Sequence, residues 1–251
     1  MLSYYFIKSL SIINNSKISS ILSNKLYNNK CGILSNLYGE SKKLFSENVK
    51  VKDNDDTFFL KKNHYVWLKT TTVKMKKLKQ LKLLFDDFCN KSSVPKSLRL
   101  EVHSMRVTKN DDELIKLALD ILPENALYCS KAYFEKKTTV QNLHLYRIFS
   151  PNNFSTHDQQ MYGSTDQWHI DKSPTNTLKI FILLHDIDLK NGPMEFKTQY
   201  NCDNKIQQNI LNCEGTFGDI LIINTNFLEH RATYPLKNIT RDLLCFNIET
   251  S

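Results

Sequence analysis

The sequence is poor in glycine and proline and contains no long apolar run. Six glycines and six prolines among 251 residues exclude a collagen-like chain, and 41% hydrophobic residues exclude a disordered one. No stretch of about 18 uninterrupted apolar residues occurs, so we expect no membrane-spanning helix. The length suits one well-filled domain with an N-terminal extension.

Cysteines are also few, and their spacing excludes two classes of small domain. None of the six belongs to a CxxC pair, which disfavours a zinc module or a disulfide scaffold. We therefore expect reduced thiols. The six are Cys31, Cys89, Cys129, Cys202, Cys213 and Cys245.

Acidic residues are missing from residues 1–39, which contain four lysines and many Ser and Asn residues. Apolar residues recur there at helical spacing, a composition typical of a mitochondrial transit peptide. Such peptides favour arginine, however, and none occurs before Arg99. We therefore treat residues 1–45 as a basic tail, either a targeting segment or merely a biased one, and expect an intracellular protein, mitochondrial or cytoplasmic.

The net charge of +8 is concentrated in the N-terminal part of the chain. Residues 1–100 carry 19 Lys and Arg against 7 Asp and Glu, whereas residues 101–251 carry 15 against 19. Only five of the basic residues are arginines, and the lysines of segment 74–88 alternate with apolar residues at helical intervals. This pattern predicts an amphipathic surface helix rather than a nucleic-acid-binding patch.

The order of patterns along the chain predicts an α+β fold. Residues 57–125 look largely helical, and short segments rich in β-branched and aromatic residues follow from residue 130 onwards. Helices followed by antiparallel strands indicate a sandwich or barrel in one domain, residues 46–251. The expected strands lie in KAYFEKK (131–137), NLHLYRIF (142–149), TLKIFILLHDI (177–187), GPMEF (192–196), ILIINT (220–225) and RDLLCFNIE (241–249).

The pair His169 and Asp171 precedes one of these segments and suggests a metal site. In an extended chain residues i and i+2 face the same side, so both side chains can reach one ion. His230, after the Gly218-Asp219 turn, supplies a third ligand. Two imidazoles and one carboxylate on one face leave three open positions, as in non-haem Fe(II) centres.

These residues carry a resemblance to a known family. The segment 130–251 resembles the Fe(II)/2-oxoglutarate-dependent oxygenases, and within them the phytanoyl-CoA dioxygenase-like branch. The likeness rests on the HxD pair, on Asn191-Gly192-Pro193, and on His230 with Arg241 eleven residues later. The resemblance implies a double-stranded β-helix, also called a cupin-like jelly-roll, over residues 130–251.

The family also implies the chemistry and the role of each residue. His169, Asp171 and His230 are expected to be the catalytic metal ligands for Fe(II), and Arg241 is expected to bind the distal carboxylate of 2-oxoglutarate. The expected reaction consumes O2, hydroxylates a C–H bond of a small organic molecule such as an acyl-CoA or another metabolite, and gives succinate and CO2. Halogenating relatives lack the acid of HxD, so Asp171 argues against that chemistry.

Two alternatives from other functional classes remain open at this point. One is an oxygenase of the same fold that modifies nucleic acid or protein, and the other is a binding protein that keeps the fold without catalysis. Nucleic acid is the less favoured partner because the lysine-rich segment has a helical pattern. The sequence leaves the substrate and the oligomeric state undetermined.

Overall fold

A computed structural model describes most of the chain downstream of the basic tail. The described residues are 52–70, 72–91, 99–104, 113–150, 166–173, 176–202 and 205–250. The expected N-terminal tail, residues 1–45, lies outside them, and so does Cys31.

Four helices lie in the first half of the described chain. They are α1 (Asp55–Asn63), α2 (Thr72–Lys91), α3 (Glu113–Ile121) and α4 (Glu124–Phe134). The expected amphipathic helix is confirmed as α2, whose Leu78, Leu81 and Phe85 are fully buried at helical spacing. None of the helices in the described ranges is long and apolar enough to cross a membrane.

Nine strands account for most of the remainder, and a short 3-10 turn (Leu189–Asn191) precedes the fifth. They are β1 (Tyr65–Lys69), β2 (Arg99–Ser104), β3 (Thr138–Phe149), β4 (Thr177–Leu183), β5 (Met194–Cys202), β6 (Lys205–Asn212), β7 (Asp219–Ile223), β8 (His230–Ala232) and β9 (Thr240–Thr250).

The strands form two antiparallel sheets. The larger sheet has the order β1-β7-β4-β9-β3-β2, and the smaller has the order β6-β5-β8. Helices cover one face of the larger sheet, and the smaller sheet packs against the other face. The molecule is therefore α+β, mostly antiparallel, with N-terminal helices, as the sequence predicts.

Strand alternation divides the larger sheet between two cores. On β4, Ile180 and Ile182 join the helices in one core, whereas Phe181 and Leu183 face the smaller sheet. Strand β9 repeats this division, since Leu244 packs with the helices. In a sheet that is buried on both faces, each strand sequence is a nearly continuous apolar run. Strands β4 and β9 have such sequences.

One of the six strand predictions is wrong. KAYFEKK does not form a strand: its first four residues end α4, and Glu135 stops the helix in the left-handed conformation at φ 52°. The region expected to be largely helical also contains β1 and β2, which pair with β7 and β3 respectively. These pairings place both strands in the larger sheet.

Candidate metal centre

The expected ligands come together at one end of the space between the two sheets. His230 begins β8 on the smaller sheet, and His169 forms an antiparallel bridge with it. The two residues exchange backbone hydrogen bonds, with N···O distances of 3.0 and 2.9 Å. The Asp171 amide donates to the Thr225 carbonyl at 2.9 Å. The HxD pair is therefore held by a bridge and a single loop contact, and not by the regular strand that the sequence suggested.

The three side chains converge as a metal site requires. One ligand atom from each of His169, Asp171 and His230 lies within 4.8 Å of the other two. Asp171 Oδ1 is 3.8 Å from His169 Nε2 and 3.9 Å from His230 Nε2. The two rings lie with their centroids 4.3 Å apart. The set offers two nitrogens and one oxygen to one point.

Backbone carbonyls fix the orientation of both imidazoles. His169 Nδ1 lies 2.7 Å from the Gln167 carbonyl oxygen, and His230 Nδ1 lies 3.0 Å from that of Leu228. A carbonyl only accepts, so Nδ1 is the protonated nitrogen whenever either ring is neutral. Each Nε2 lone pair is then free to bind a metal, the arrangement found in metal-binding histidines.

The electrostatics of the centre also keep the ligands in their metal-binding forms. Burial lowers the pKa of His230 to about 4, so the ring is neutral near pH 7. Burial opposes ionisation of Asp171, but the Lys179 ammonium and the Thr225 hydroxyl outweigh it and hold the pKa of that carboxyl below its ordinary value. The carboxylate is therefore ionised.

Trp168 fastens the HxD segment to the outside of the smaller sheet. Two cations contact its ring, with Lys197 Nζ 4.5 Å and the Arg231 guanidinium carbon 4.7 Å from the centroid. Arg231 also donates to Glu195 Oε2 at 2.7 Å, and Lys197 lies 2.8 Å from Glu229 Oε2. Trp168 and Arg231 thus have packing roles next to the site rather than lining it.

A cavity of about 300 Å³ opens beside the centre, and Arg241 lies within it. Its lining residues are Tyr146, Ile148, His169, Asp171, Lys179, Phe181, Met194, His230, Ala232, Thr233, Tyr234, Arg241 and Leu243. Apolar and aromatic walls with a few charged groups are typical of small-molecule sites.

Arg241 is a buried cation without a full set of partners. It is only 2% exposed, and one terminal nitrogen donates to the Thr233 carbonyl at 3.1 Å. Its Nε has no hydrogen-bond partner, and no ion pair of Arg241 occurs among the described residues. Burial lowers the pKa of Arg241 to about 10, which leaves it charged at neutral pH. A buried, incompletely paired guanidinium favours an anionic ligand.

The Asn191-Gly192-Pro193 turn positions the loop that leads to Arg241. Gly192 has φ +63°, and a Cβ on it would lie 2.2 Å from the Tyr234 carbonyl carbon. Asn191 Nδ2 donates to the Thr240 carbonyl at 3.1 Å. Only glycine allows this approach, so the turn acts as a support for the Arg241 end of the cavity.

Sequence reasoning missed Lys179, whose ammonium contacts Asp171, and Thr225, which holds Asp171 from the loop after β7. The signal for Lys179 was present, because it is the only charged residue in the apolar strand β4. No sequence signal identifies Thr225, since its contact depends on how the loop after β7 folds back.

Comparison with solved structures identifies the fold. Three similar structures are the non-haem α-ketoglutarate-dependent carbocyclase SnoK from nogalamycin biosynthesis, EctD from S. alaskensis with 2-oxoglutarate and 5-hydroxyectoine, and HygX from Streptomyces hygroscopicus with nickel, 2-oxoglutarate and hygromycin B. SnoK is 12% identical, with 82% of this chain and 87% of SnoK covered at a TM-score of 0.54. EctD is 10% identical, with 82% of this chain and 81% of EctD covered at a TM-score of 0.54. HygX is 10% identical, with 80% of this chain and 88% of HygX covered at a TM-score of 0.52.

This structural match confirms the expected double-stranded β-helix of the Fe(II)/2-oxoglutarate-dependent oxygenases, and the fold presents the His-Asp-His group that the sequence resemblance predicts. No protein-family model matches the chain, and no curated protein matches its sequence.

Proposed function

We propose that this protein is an Fe(II)- and 2-oxoglutarate-dependent dioxygenase that hydroxylates a C–H bond of a small organic molecule, giving succinate and CO2. One observation carries the proposal: a single cavity contains both the His-Asp-His group and an incompletely paired, buried arginine. Such a pair of features suits a metal and a carboxylate-bearing co-substrate bound together.

The donor set fits Fe(II). His169, Asp171 and His230 would hold the ion, with two neutral imidazole nitrogens and one carboxylate oxygen. Bound Fe(II) would supply the activation of O2. The protein's own contribution is to present these three atoms in fixed orientations, through the Gln167 and Leu228 carbonyls.

The deeper part of the cavity fits the distal carboxylate of 2-oxoglutarate. Arg241 offers a planar fork and remains charged when buried. Phe181, Leu243 and Ile148 line the same cavity, and their apolar surfaces lower the local polarity, which strengthens an ion pair formed there.

A small-molecule substrate is supported by the cavity and by the relatives. A volume of about 300 Å³ lies at the lower end of the range for small-molecule sites. The related structures contain 5-hydroxyectoine, hygromycin B and, in the epimerase SnoN, nogalamycin RO with Fe3+ and α-ketoglutarate. An acyl-CoA or another metabolite remains the proposed substrate class.

Several lysines of α2 are already paired with acids. Lys82 contacts Asp86 at 2.6 Å, and Lys91 contacts Asp87 at 2.6 Å. This pairing reduces the positive charge that the helix offers to a polyanion. It supports a metabolite rather than a nucleic acid as the substrate.

Single alanine substitutions of the three ligands test the proposal. His169→Ala, Asp171→Ala and His230→Ala should each greatly reduce Fe(II) bound after anaerobic reconstitution, and should abolish succinate formation from 2-oxoglutarate. Bound iron and succinate are measured on the same samples.

His64→Asn is the matched control for loss of an imidazole. His64 lies outside the cavity, and its Nδ1 is 2.7 Å from the Tyr133 hydroxyl; asparagine tolerates its φ of 65°. The control should bind iron as the wild type does. Stoichiometric iron with normal turnover in His169→Ala would refute the assignment.

A further inference from the structure

Lys179 is a charged residue in a strand that is otherwise apolar or small and polar. Its side chain is 25% exposed and lines the cavity, and its Nζ lies 2.5 Å from Asp171 Oδ2. Neighbouring Leu178 and Ile180 are fully buried. Burying part of an ammonium opposes folding unless it has a partner, and here that partner is the carboxylate at the metal centre.

The two oxygens of Asp171 have different surroundings. Oδ1 lies 3.8 and 3.9 Å from the two imidazole Nε2 atoms, so it faces the point where a metal would bind. Oδ2 is occupied by the Lys179 ammonium. The Thr225 hydroxyl adds a further hydrogen bond to the carboxylate. Lys179 and Thr225 thus orient the carboxylate, while Oδ1 faces the point where a metal would bind.

We propose that Lys179 is a positioning residue that restricts Asp171 to a single metal-binding oxygen. The inference rests on the proposed function, because it assumes that the His-Asp-His group binds a divalent metal. It assigns to Lys179 the task of keeping a coordination position open.

The physical reason lies in how carboxylates bind metals. A carboxylate can bind through one oxygen or through both. One oxygen from Asp171 and two imidazole nitrogens leave three of six positions for ligands from solution. If both oxygens bound, only two positions would remain, too few for a two-atom chelating co-substrate and O2 together.

The Lys179 charge also predicts the direction in which metal affinity should change when the lysine is replaced. A cation next to the carboxylate repels a divalent metal and neutralises part of the Asp171 charge. Removing the ammonium should therefore strengthen binding of the metal alone. A lysine with only a structural role predicts the opposite, because loss of its ion pair would disorder Asp171 and weaken binding.

The chain offers a matched control in Lys69. Its Nζ lies 2.5 Å from Asp219 Oδ1, the same distance as in the Lys179 pair. The Lys69 side chain is 77% exposed and does not line the cavity. Lys69→Met thus removes an equivalent ion pair without touching the metal centre.

The experiment uses Mn2+ alone with the full chain. Binding is measured by titration, and water-proton relaxation reports the number of exchangeable waters on the bound ion. In Lys179→Met the relaxation per bound Mn2+ should fall by about one third, from three waters to two. The affinity for Mn2+ should rise by at least about threefold.

Lys69→Met should match the wild type in both quantities, and Lys179→Arg should keep the wild-type relaxation because it restores a cationic donor. Lys179→Leu repeats the test if the methionine variant does not fold. Unchanged relaxation together with unchanged or weaker Mn2+ binding in the folded Lys179 variants would overturn the inference while leaving the proposed function intact. A wild-type chain that binds no Mn2+ would overturn both.

Discussion

At the scale of single residues, strand alternation separates two adjacent charges. Arg241 points into the cavity, whereas the next residue, Asp242, forms an ion pair with Arg147 on the helical side of the sheet. The alternation of Arg241, Leu243 and Cys245 on one face was readable from the sequence and is confirmed. The incomplete pairing of the guanidinium was not, because it depends on which acids the fold brings near.

Replacing Arg241 tests its role as the co-substrate anchor. Arg241→Gln removes a charge-assisted pair in a buried site, which should cost about 2 to 5 kcal/mol of 2-oxoglutarate binding. The Michaelis constant for 2-oxoglutarate should then rise by about 30-fold or more. Fe(II) affinity, measured separately, should change little, since Arg241 is not among the three converging ligands.

Arg241→Lys separates charge from geometry, because it keeps the charge and loses the planar fork. It should show an intermediate Michaelis constant. A glutamine variant with lost stability but an unaltered dependence on 2-oxoglutarate would show that Arg241 has a structural role only.

At the scale of elements, an ion network attaches helix α2 to the larger sheet. Asp242 on β9 accepts from Arg147 Nε at 2.9 Å and lies 3.3 Å from Lys82 Nζ. Asp86 joins the network through contacts with both cations. Asp242 is almost fully buried, so these ion pairs replace the water that its carboxylate would otherwise contact.

Asp242→Asn should therefore destabilise the fold strongly. It leaves Arg147 facing a neutral amide in a mostly buried site, and breaking such a pair costs about 3 kcal/mol or more. The measurement is the free energy of unfolding from urea denaturation.

Asp87→Asn provides the comparison, since it breaks the exposed pair with Lys91 and should change stability by about 0.5 kcal/mol or less. Equal effects of the two substitutions would show that the network contributes nothing beyond an ordinary surface pair.

An element can be predicted from the sequence when its own residues carry the signal, and not when it depends on a distant partner. The hydrophobic period and the composition of the sequence predict helix α2 and strands β3, β4, β7 and β9. Each of them is found where expected. Tyr65–Lys69 carries a strand composition but lies among helical segments, and its pairing with β7 is a long-range contact. Residues 131–134 remain helical because the helix from Glu124 continues until Glu135, which overrides their aromatic content.

At the scale of the whole molecule, two sheets bring together residues that are far apart in sequence. The HxD pair, His230 and Arg241 meet because a bridge joins His169 to β8 and because β9 returns beside β4. The resemblance predicted this assembly. The acid that Lys179 contacts could not be predicted, since a lysine in a strand gives no indication of its partner.

The described thiols agree with the expectation of reduced cysteines. None of Cys89, Cys129, Cys213 and Cys245 forms a disulfide. Burial raises the pKa of the Cys89 thiol to about 11 and that of Cys129 to about 12, so both are protonated and unreactive at neutral pH.

The basic tail supports a prediction about the whole chain in the cell. Residues 1–39 contain no acid and have amphipathic spacing, so we propose that they direct the protein to mitochondria. The His-Asp-His group, Lys179 and Arg241 all lie in the segment 166–250, well beyond this tail. Deleting residues 2–39 should therefore leave Fe(II) binding intact and shift a fluorescent fusion from mitochondria to the cytosol.

Replacing the four lysines of the tail by glutamine is the matched variant, because it removes the charge and keeps the length. It should mislocalise the fusion as the deletion does, since import signals need positive charge. The same distribution for the full chain, the deletion and the glutamine variant would refute targeting and leave a compositionally biased tail. Loss of Fe(II) binding in the deletion would instead show that the tail contributes to the oxygenase domain, which we predict to span residues 46–251.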